Sequence, residues 1–291
     1  MMQYFDAHTH VQFAAYDENR EAVFLRSLEA GVGMNLVGTQ LDTSKAAVEC
    51  ARTHNEVWAS VGLHPIHTSK SFHDEKELGE NGKAFTSRGE VFDFAAYEAL
   101  AREPKTIAIG ECGLDYFRLD EDTKKVQMEA FVAQIELANT VGKPLMLHIR
   151  SGKETRLRRS NAEHGESENS AYDDAIQLLK AHAKVQGDVH FFAGKWETAK
   201  KFLDLGFTLS FTGVITFTQD YEEVVRNTPL DMLLSETDAP YVTPAPNRGK
   251  RNEPMYIPDI VRKIANIKSI SEEVAQVQLL ANATRVFSLR F

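Results

Sequence analysis

The regular alternation of short apolar runs with longer amphipathic segments constrains the fold of this chain most. Segments with helical spacing separate the runs, as in Asp122–Val141, where Val126, Phe131 and Ile135 fall on one face. Strands that alternate with helices pair in parallel, so eight such units predict a TIM-type (β/α)₈ barrel of the α/β class. An open, doubly wound sheet has the same periodicity and stays the structural alternative. The predicted strands are Gln3–Ala7, Gly33–Gly38, Val57–Leu63, Thr106–Gly110, Pro144–His148, Asp188–Phe192, Thr208–Phe211 and Met232–Ser235.

Helical periodicity accounts for most of the remaining chain. Barrels of this type commonly reach 291 residues as one domain, so we expect residues 1–291 to form a single hydrolase domain. Two polar stretches, near 67–89 and 151–169, interrupt the pattern and follow the third and fifth strands. We expect them to be loop insertions at the C-terminal face of the barrel. Besides Asp122–Val141, the predicted helices are Asp42–Asn55, Ala171–Ala183, Trp196–Leu205, Tyr221–Asn227, Tyr256–Asn266 and Ser271–Leu289.

Composition and charge exclude several classes of protein. No apolar run approaches the ~18 residues of a membrane-spanning helix, and the first ten residues lack the pattern of a signal peptide. The two cysteines, Cys50 and Cys112, are far apart, which favours free thiols in a reducing compartment. A net charge of −9 argues against a protein that coats nucleic acid. We therefore expect a cytoplasmic protein without a membrane or an obligate protein partner; its oligomeric state stays open.

The first predicted strand ends in two histidines, His8 and His10, with Thr9 between them. Strand side chains alternate between two faces, so both imidazoles lie on the same face. Two neutral imidazoles placed side by side can bind one divalent cation. An HxH pair also arises by chance, so alone it is weak evidence for a metal site.

Further residues that can bind metals follow the other predicted strands: His64, Glu111, His148, His190 and Asp238. In a parallel barrel the C-terminal strand ends meet at one opening. Each residue alone could be a core histidine or a helix cap, but burying so many imidazoles and carboxylates together without a cation is costly. The sequence therefore predicts a divalent-metal site, assembled from His8, His10, Glu111, His148, His190 and Asp238.

Eight motifs resemble those of the TatD-type metal-dependent deoxyribonucleases of the amidohydrolase superfamily. The resemblance runs from end to end, in the family's order, and the combination of GECGLDY with ETDAPY is specific. The motifs are DAHTH (6–10), GLHP (62–65), GECGLDY (110–116), PLMLHIR (144–150), HFFAG (190–194), LGFTLSFTGVITF (205–217), SETDAPYVTP (235–244) and RGKRNEP (248–254).

The resemblance implies up to two divalent cations per chain. His8, His10 and Asp238 are similar to the ligands of a first ion. His148 and His190 are similar to ligands of a second ion, and Glu111 is similar to the carboxylate that bridges both. Imidazole and carboxylate ligands suit Zn²⁺, Mn²⁺ and, with fewer imidazoles, Mg²⁺, so the metal's identity stays open.

Three residues form the expected catalytic set: Asp238, His64 and Glu111. Two cations about 3.5–4 Å apart activate a water molecule and neutralise phosphate oxygens. Asp238 is the carboxylate expected to take the proton of that water. By the resemblance, His64 meets the scissile phosphate rather than a metal, and Glu236 is expected to orient a neighbour.

The sequence departs from the family's pattern in three places. HPIH (64–67) stands where the family has HPH, HFFAG (190–194) stands where it has HCFSG, and the insertion at 151–169 is longer than the family pattern. None of these departures removes a predicted metal ligand. Together they leave substrate preference open.

Basic and amide residues follow the fifth and eighth strands. Arg150, Arg248, Arg251 and Asn252, with Lys250, are expected to bind substrate phosphates, although a solvated surface explains them equally well. The insertion at 151–169 has a basic half followed by an acidic half. These charges are Lys153, Arg156, Arg158 and Arg159, then Glu163, Glu166 and Glu168.

The leading functional hypothesis is a deoxyribonuclease that trims DNA from an end, as a 3′–5′ exonuclease-like phosphodiesterase does. DNA or another phosphodiester substrate would then be a transient partner. The alternative is a metal-dependent ester or amide hydrolase, such as a D-aminoacyl-tRNA deacylase, because the same activated water can attack a carbonyl. A non-catalytic scaffold is a third reading, and the intact set of ligand positions argues against it.

Overall fold

A barrel of eight parallel strands forms the centre of the molecule. The computed structural model describes residues 2–70, 72–73, 85–117, 121–152 and 170–290. Each barrel strand pairs with the next strand along the chain. The strands are β1 Tyr4–Thr9, β2 Val32–Val37, β3 Val57–Val61, β4 Thr106–Asp115, β5 Leu145–Arg150, β6 Gly187–Val189, β7 Thr208–Phe211 and β8 Leu233–Ser235. A small antiparallel hairpin, Phe72–His73 with Phe85–Thr86, follows β3.

Helices on the outside of the barrel connect the strands. Every helix predicted from the sequence is present, with each end within two residues of its expected position. The periodicity had not defined α1 or α3. The helices are α1 Arg20–Glu29, α2 Leu41–Thr53, α3 Phe94–Ala101, α4 Glu121–Val141, α5 Ala171–His182, α6 Trp196–Asp204, α7 Glu222–Asn227, α8 Ile257–Lys268 and α9 Glu272–Phe287.

The barrel strands are buried on both faces, which is why they appear in the sequence as nearly continuous apolar runs. In β2 every residue is buried, and Met34 and Leu36 belong to the main apolar core. The polar side chain of Asn35 is buried too, and its amide nitrogen donates to Ala7 O at 3.0 Å and Ser60 Oγ at 2.8 Å. Satisfying such groups inside the barrel avoids the desolvation cost of an unpaired amide.

The first and last strands meet at their C-terminal ends and close the barrel there. Thr9 forms a parallel bridge with Ala239. Next to it, the backbone N–H of His10 donates to Ala239 O at 2.8 Å, and that of Asp238 donates to His8 O at 2.9 Å. The closure confirms the predicted barrel and excludes the open sheet. It also places the end of β1 directly beside the end of β8.

Strand β4 differs from its predicted length. The expected end at Gly110 was wrong, because the strand continues to Asp115. Residues beyond the glycine pair with β5, from Cys112 opposite Leu147 to Asp115 opposite Arg150. Glu111 therefore lies inside a strand rather than just after one.

Of the two predicted insertions, the structure describes 67–70, 72–73 and 85–89 in the first and only Ser151 and Gly152 in the second. Among the described helices, none has the length and apolar character needed to cross a membrane. The charged residues named above for the second insertion lie outside the described residues: Lys153, Arg156, Arg158, Arg159, Glu163, Glu166 and Glu168.

Candidate metal centre

Seven side chains that can bind metals converge where the barrel strands end. The set contains five histidines and two carboxylates. Five of the seven residues are buried, whereas Asp238 has 13% of its side chain exposed against 4% for Glu111. His148 is the other residue with partial exposure, at 17% of its side chain. The residues are His8, His10, His64, Glu111, His148, His190 and Asp238.

Four donor atoms form a first set around one point. The Nε2 atoms of His8 and His10 are 3.1 Å apart. Glu111 Oε2 lies 3.4 Å and 3.8 Å from them, and Asp238 Oδ1 lies 3.9 Å and 3.4 Å from them. Ligands about 2.0–2.2 Å from a tetrahedral Zn²⁺ are separated from one another by about 3.3–3.6 Å. The set therefore has the spacing and the chemistry of a divalent-cation site.

A second set faces the other oxygen of the same carboxylate. Glu111 Oε1 lies 2.9 Å from His148 Nδ1, 3.1 Å from His190 Nε2 and 3.3 Å from His64 Nε2. Glu111 thus stands between the two sets, with one oxygen directed to each. This is the position that a bridging ligand requires.

Irregularities in two strands direct these side chains inward. The register of β1 with β2 shifts between Asp6 and Thr9, around His8. The register of β4 with β5 shifts between Ile109 and Cys112, around Glu111. Such bulges add one residue to a strand and change the direction of a side chain next to it.

Two glycines allow β4 and β5 to approach closely on either side of Glu111. A Cβ atom at Gly110 would lie 2.3 Å from Met146 O, and one at Gly113 would lie 2.1 Å from His148 O. Both glycines also have positive φ angles, 152° and 139°. The G-E-C-G part of the motif is therefore a packing requirement of the bulged strand.

Acceptors behind two of the rings fix which nitrogen can bind a metal. His10 Nδ1–H donates to Val37 O at 2.7 Å, and His148 Nε2–H donates to Asp115 Oδ2 at 2.9 Å. His190 Nδ1 lies 3.2 Å from Glu236 Oε1. Because a carbonyl or carboxylate only accepts, the neutral rings of His10 and His148 carry their proton on the nitrogen that faces it, and the other nitrogen keeps its lone pair for a metal.

His64 has the opposite arrangement. Its Nδ1 accepts a hydrogen bond from the backbone N–H of Ile66 at 3.1 Å. The neutral ring must therefore carry its proton on Nε2, the atom that faces Glu111, and an N–H cannot bind a metal. Burial, then the neighbouring His148, lowers the pKa of His64 to about 4, which favours the neutral ring. The Nε2–H group of His64 is thus a hydrogen-bond donor.

Histidines surround Glu111 and keep it charged. Burial alone would raise its pKa, but His64, His8 and His190 outweigh that effect and hold the pKa well below its usual range. A hydrogen bond from His148 acts in the same direction. The carboxylate is therefore available as an anionic ligand at neutral pH.

A comparison with protein families matches nearly the whole chain. The sequence profile of the family described as TatD related DNase covers residues 5–288. This chain belongs to that family. A Bacillus subtilis relative named uncharacterized metal-dependent hydrolase YabD is 33% identical over 291 residues, covering 98% of this chain and 99% of the relative. The Klebsiella pneumoniae protein named 3′-5′ ssDNA/RNA exonuclease TatD is 31% identical over 298 residues, covering 98% of both chains.

Solved structures from the TatD family share the fold. YJJV, a TatD homologue from Escherichia coli, superposes with a TM-score of 0.78 at 23% identity, over 99% of both chains. A TatD family hydrolase from Entamoeba histolytica gives a TM-score of 0.76 at 21% identity, over 98% of both chains. These similarities show that the closed barrel is the family's architecture.

Asp115 is a site residue that our prediction from the sequence missed. Its Oδ2 holds His148, and its Oδ1 accepts from the backbone N–H of Phe117 at 2.9 Å. Burial opposes its charge, but the contact with His148 and nearby Arg150 lower its pKa to about 2. The side chain of Gln127 fixes the Asp115 backbone through bonds of 2.8 Å and 2.9 Å. In this TatD-family chain the GECGLDY motif thus contributes two carboxylates.

Glu236 lies behind His190 and is completely buried. Its Oε1 accepts from the backbone N–H of Phe191 at 2.6 Å, and its Oε2 accepts from Ser210 Oγ at 2.7 Å. It is also near enough to His8 and His190 to form a third group of possible metal donors. Its contacts with His190 and with the Phe191 backbone fit the expected role of orienting a neighbour.

Two of the predicted substrate-binding residues lie against aromatic rings. The guanidinium carbon of Arg150 is 3.8 Å from the ring centre of Phe117, and that of Arg248 is 3.9 Å from the ring centre of Phe217. Arg248 is exposed and Arg150 is half-buried. Their role in binding substrate stays a prediction.

The side chains of the other two make contacts within the protein, and their role in binding substrate also stays a prediction. Asn252 is completely buried, and its amide nitrogen donates to Thr237 O at 2.9 Å and Tyr241 O at 2.6 Å. Arg251 lies over the ring of Tyr16 and donates to Ala15 O at 2.6 Å. The contacts of Arg251 join the loop after β8 to the loop after β1, whereas those of Asn252 fix the loop after β8 itself.

Proposed function

We propose that this chain is a metal-dependent phosphodiesterase that removes nucleotides from the 3′ end of single-stranded DNA or RNA. The observation that carries the proposal is the pair of donor sets joined through the two oxygens of Glu111. Two cations held side by side are a common device for in-line displacement at phosphorus. The activity for which the Klebsiella pneumoniae relative is named supports the same substrate class.

Each donor set would hold one divalent cation. His8, His10 and Asp238 would hold the first, His148 and His190 the second, and Glu111 would contact both. The bound cations would neutralise phosphate charge and make a water molecule more acidic. The donors are imidazole and carboxylate groups, which suit Zn²⁺ and Mn²⁺ and, less well, Mg²⁺.

Asp238 and His64 have complementary roles in this proposal. Asp238 Oδ1 faces the first donor set, and its side chain is more exposed than that of Glu111, so water can reach it. We assign it the role of general base, which takes the proton of the attacking water. The Nε2–H of His64 would donate to a non-bridging phosphate oxygen, whose negative charge grows as the bond breaks.

The decisive experiment measures hydrolysis by the wild-type protein and Asp238→Asn, each loaded with Zn²⁺, Mn²⁺ or Mg²⁺. Substrates are 5′-labelled and 3′-labelled single-stranded DNA and RNA, and a D-aminoacyl-tRNA. We expect shortening from the 3′ end by the wild type and a loss of about 10²–10⁴-fold in kcat for the variant. Asp42→Asn is the matched control, because Asp42 is an exposed residue that pairs with Arg88 on the surface.

Two results would contradict the proposal. Release of the amino acid from D-aminoacyl-tRNA without shortening of any oligonucleotide would move the activity to the ester-hydrolase class. Retention of more than about a tenth of wild-type kcat by Asp238→Asn would exclude Asp238 as the general base. Metal content, measured on the same samples, separates loss of the base from loss of a ligand.

A further inference from the structure

Two arginine–phenylalanine stacks lie at the end of the barrel that holds the donor sets. Arg150 ends β5 and stacks on Phe117, which follows β4. Arg248, in the loop after β8, stacks on Phe217, which follows the 3₁₀ turn Gly213–Thr216 after β7. Both stacks therefore join the loops of neighbouring strands. The proposed mechanism does not use either aromatic ring.

The rings of Phe117 and Phe217 are more exposed than the ring in a third arginine–aromatic stack at the same end of the barrel. Tyr16, under Arg251, has no exposed surface. Phe217 has 43% of its surface exposed, and Phe117 is half-buried. A single exposed apolar ring is common on protein surfaces. An aromatic ring that packs against a guanidinium group beside a candidate metal centre is a more specific arrangement, because the positively charged guanidinium group also attracts phosphate.

Hydrogen bonds tie the first stack to the metal centre. One carboxylate, that of Asp115, accepts from both His148 Nε2 and the backbone N–H of Phe117, each at 2.9 Å. The ring of Phe117 is therefore positioned by the same residue that positions a predicted metal ligand.

The second stack is fixed by contacts between two loops. Thr216 Oγ1 accepts from the backbone N–H of Ala245 at 2.9 Å. Gly213 packs so closely against the loop after β8 that a Cβ atom there would lie 2.4 Å from Val242 O. That loop begins at Asp238, whose carbonyl accepts from the N–H of Tyr241. Phe217 and Arg248 are thus held in a defined position relative to the first donor set.

We propose that the Arg150–Phe117 and Arg248–Phe217 stacks bind bases of the unpaired strand, while their guanidinium groups contact the adjoining phosphates. Stacking on an aromatic ring accepts any base, because every base has a π-face. Bases inside a duplex are stacked on each other and cannot use such a platform. The proposal rests on the proposed function and gives a physical reason for a preference for unpaired ends.

The experiment combines substitution of the two aromatic side chains with removal of single bases from the substrate. A 5′-labelled single-stranded oligothymidylate is compared with versions that carry one abasic residue at successive positions from the 3′ end. Wild type, Phe217→Leu and Phe117→Leu are assayed on each, since leucine keeps apolar bulk but has no π-face. Leu25→Ala is the control for loss of exposed apolar surface, because Leu25 is 58% exposed on the outer helix α1.

Each leucine variant should lower kcat/KM on the intact oligonucleotide about 5- to 100-fold, mainly through KM. For each variant, there should be one position at which an abasic residue lowers the kcat/KM of the wild type by a similar factor. The same abasic residue should not lower the kcat/KM of the variant any further. That position identifies the base that the ring binds. Metal content should equal that of the wild type, and Leu25→Ala should behave as the wild type.

Wild-type kcat/KM in both leucine variants would overturn the base-binding proposal while leaving the proposed function intact. Equal losses on intact and abasic oligonucleotides at every position would overturn it as well, because the ring would then act without a base. Failure of the proposed function has a different signature. In that case the metal-loaded wild type itself would leave every oligonucleotide intact, and the base-binding proposal would fall with it.

Discussion

Replacing Asp115 by asparagine tests the hydrogen bonds that support the candidate metal centre. The aspartate accepts two hydrogen bonds, from His148 on Oδ2 and from the Phe117 backbone on Oδ1. Asparagine has only one acceptor oxygen, and its NH₂ group would point at one of the two donors. Either His148 loses its partner, or the backbone after β4 does. The change in volume is negligible, so the effect is almost purely electrostatic.

The expected magnitude follows from the role of His148. A carboxylate behind a metal-binding imidazole fixes the tautomer and makes the ring a better ligand, and its removal costs about 10- to 100-fold in metal affinity. This corresponds to about 1.4–2.8 kcal/mol of binding free energy. The loss should concern one of the two cations, because Asp115 contacts a histidine of the second donor set only.

Metal affinity is measured by competition with a chromophoric chelator, with Zn²⁺ as the probe, and the stoichiometry is measured by elemental analysis. Asp93→Asn is the matched control. Asp93 is exposed at the start of α3, where it accepts from the Ala96 N–H at 3.1 Å, and asparagine caps helices equally well. If Asp115→Asn binds both cations within about twofold of the wild type, the positioning role of Asp115 is refuted.

Three other predictions follow from the site. His64→Ala should lower kcat about 10²–10³-fold yet keep full metal content, and His64→Gln, which retains an N–H donor, should recover part of the activity; loss of a metal in His64→Ala would instead make it a ligand. Asn252→Ala should lower the free energy of unfolding by about 2–4 kcal/mol in urea titrations, because it leaves buried carbonyls unpaired; an unchanged midpoint would contradict this. Replacing the four basic residues of the second insertion by alanine should weaken the salt dependence of affinity for single-stranded DNA. The slope of log affinity against log salt concentration should fall by about 0.7 for each phosphate contact that is lost. An unchanged slope would instead indicate that these residues pair with the acidic half of the insertion. These four are Lys153, Arg156, Arg158 and Arg159.

The barrel could be predicted because its periodicity is simple. Buried parallel strands are short apolar runs, and the helices outside them keep one apolar stripe, so both element types can be recognised without tertiary information. The end of β4 could not be recognised in the same way. The apolar run ends at Gly110, but this glycine permits close contact with Met146 O in a strand that continues past a bulge. A single extra residue leaves no periodic signal.

The site was predictable to the extent that it depends on strand ends. Parallel pairing brings the ends together, so the identities of the seven converging residues could be read from the chain. Asp115 also had a signal, since it lies four residues after Glu111 and alternation places both on one face of β4. Asn252 had none. It follows two basic residues in a polar loop, and only the fold shows that its amide is turned inward to two carbonyls.

Backbone strain near the donors was equally hidden. Phe191 and Asp238 have φ angles of 44° and 54°, although neither is a glycine. Such conformations cost about 1–3 kcal/mol each and persist only when the surroundings enforce them. Here Phe191 follows His190 and donates its N–H to Glu236, and Asp238 is held by His8 O. The hydrogen bonds that impose the strain also direct two of the predicted ligands.

Proximity to Glu111 does not distinguish a ligand from a donor, because His64 is as close to it as His8 is. The atom behind each ring does distinguish them, since an acceptor leaves a lone pair at the centre and a backbone N–H leaves a proton there. The rule does not settle His8 or His190, because the Nδ1 atom of each is buried and has no hydrogen-bond partner among the described residues. The two rings stack on each other, at 3.8 Å between ring centres and 17° between planes. The two donor sets are therefore joined twice, through the carboxylate of Glu111 and through the packed imidazoles of His8 and His190.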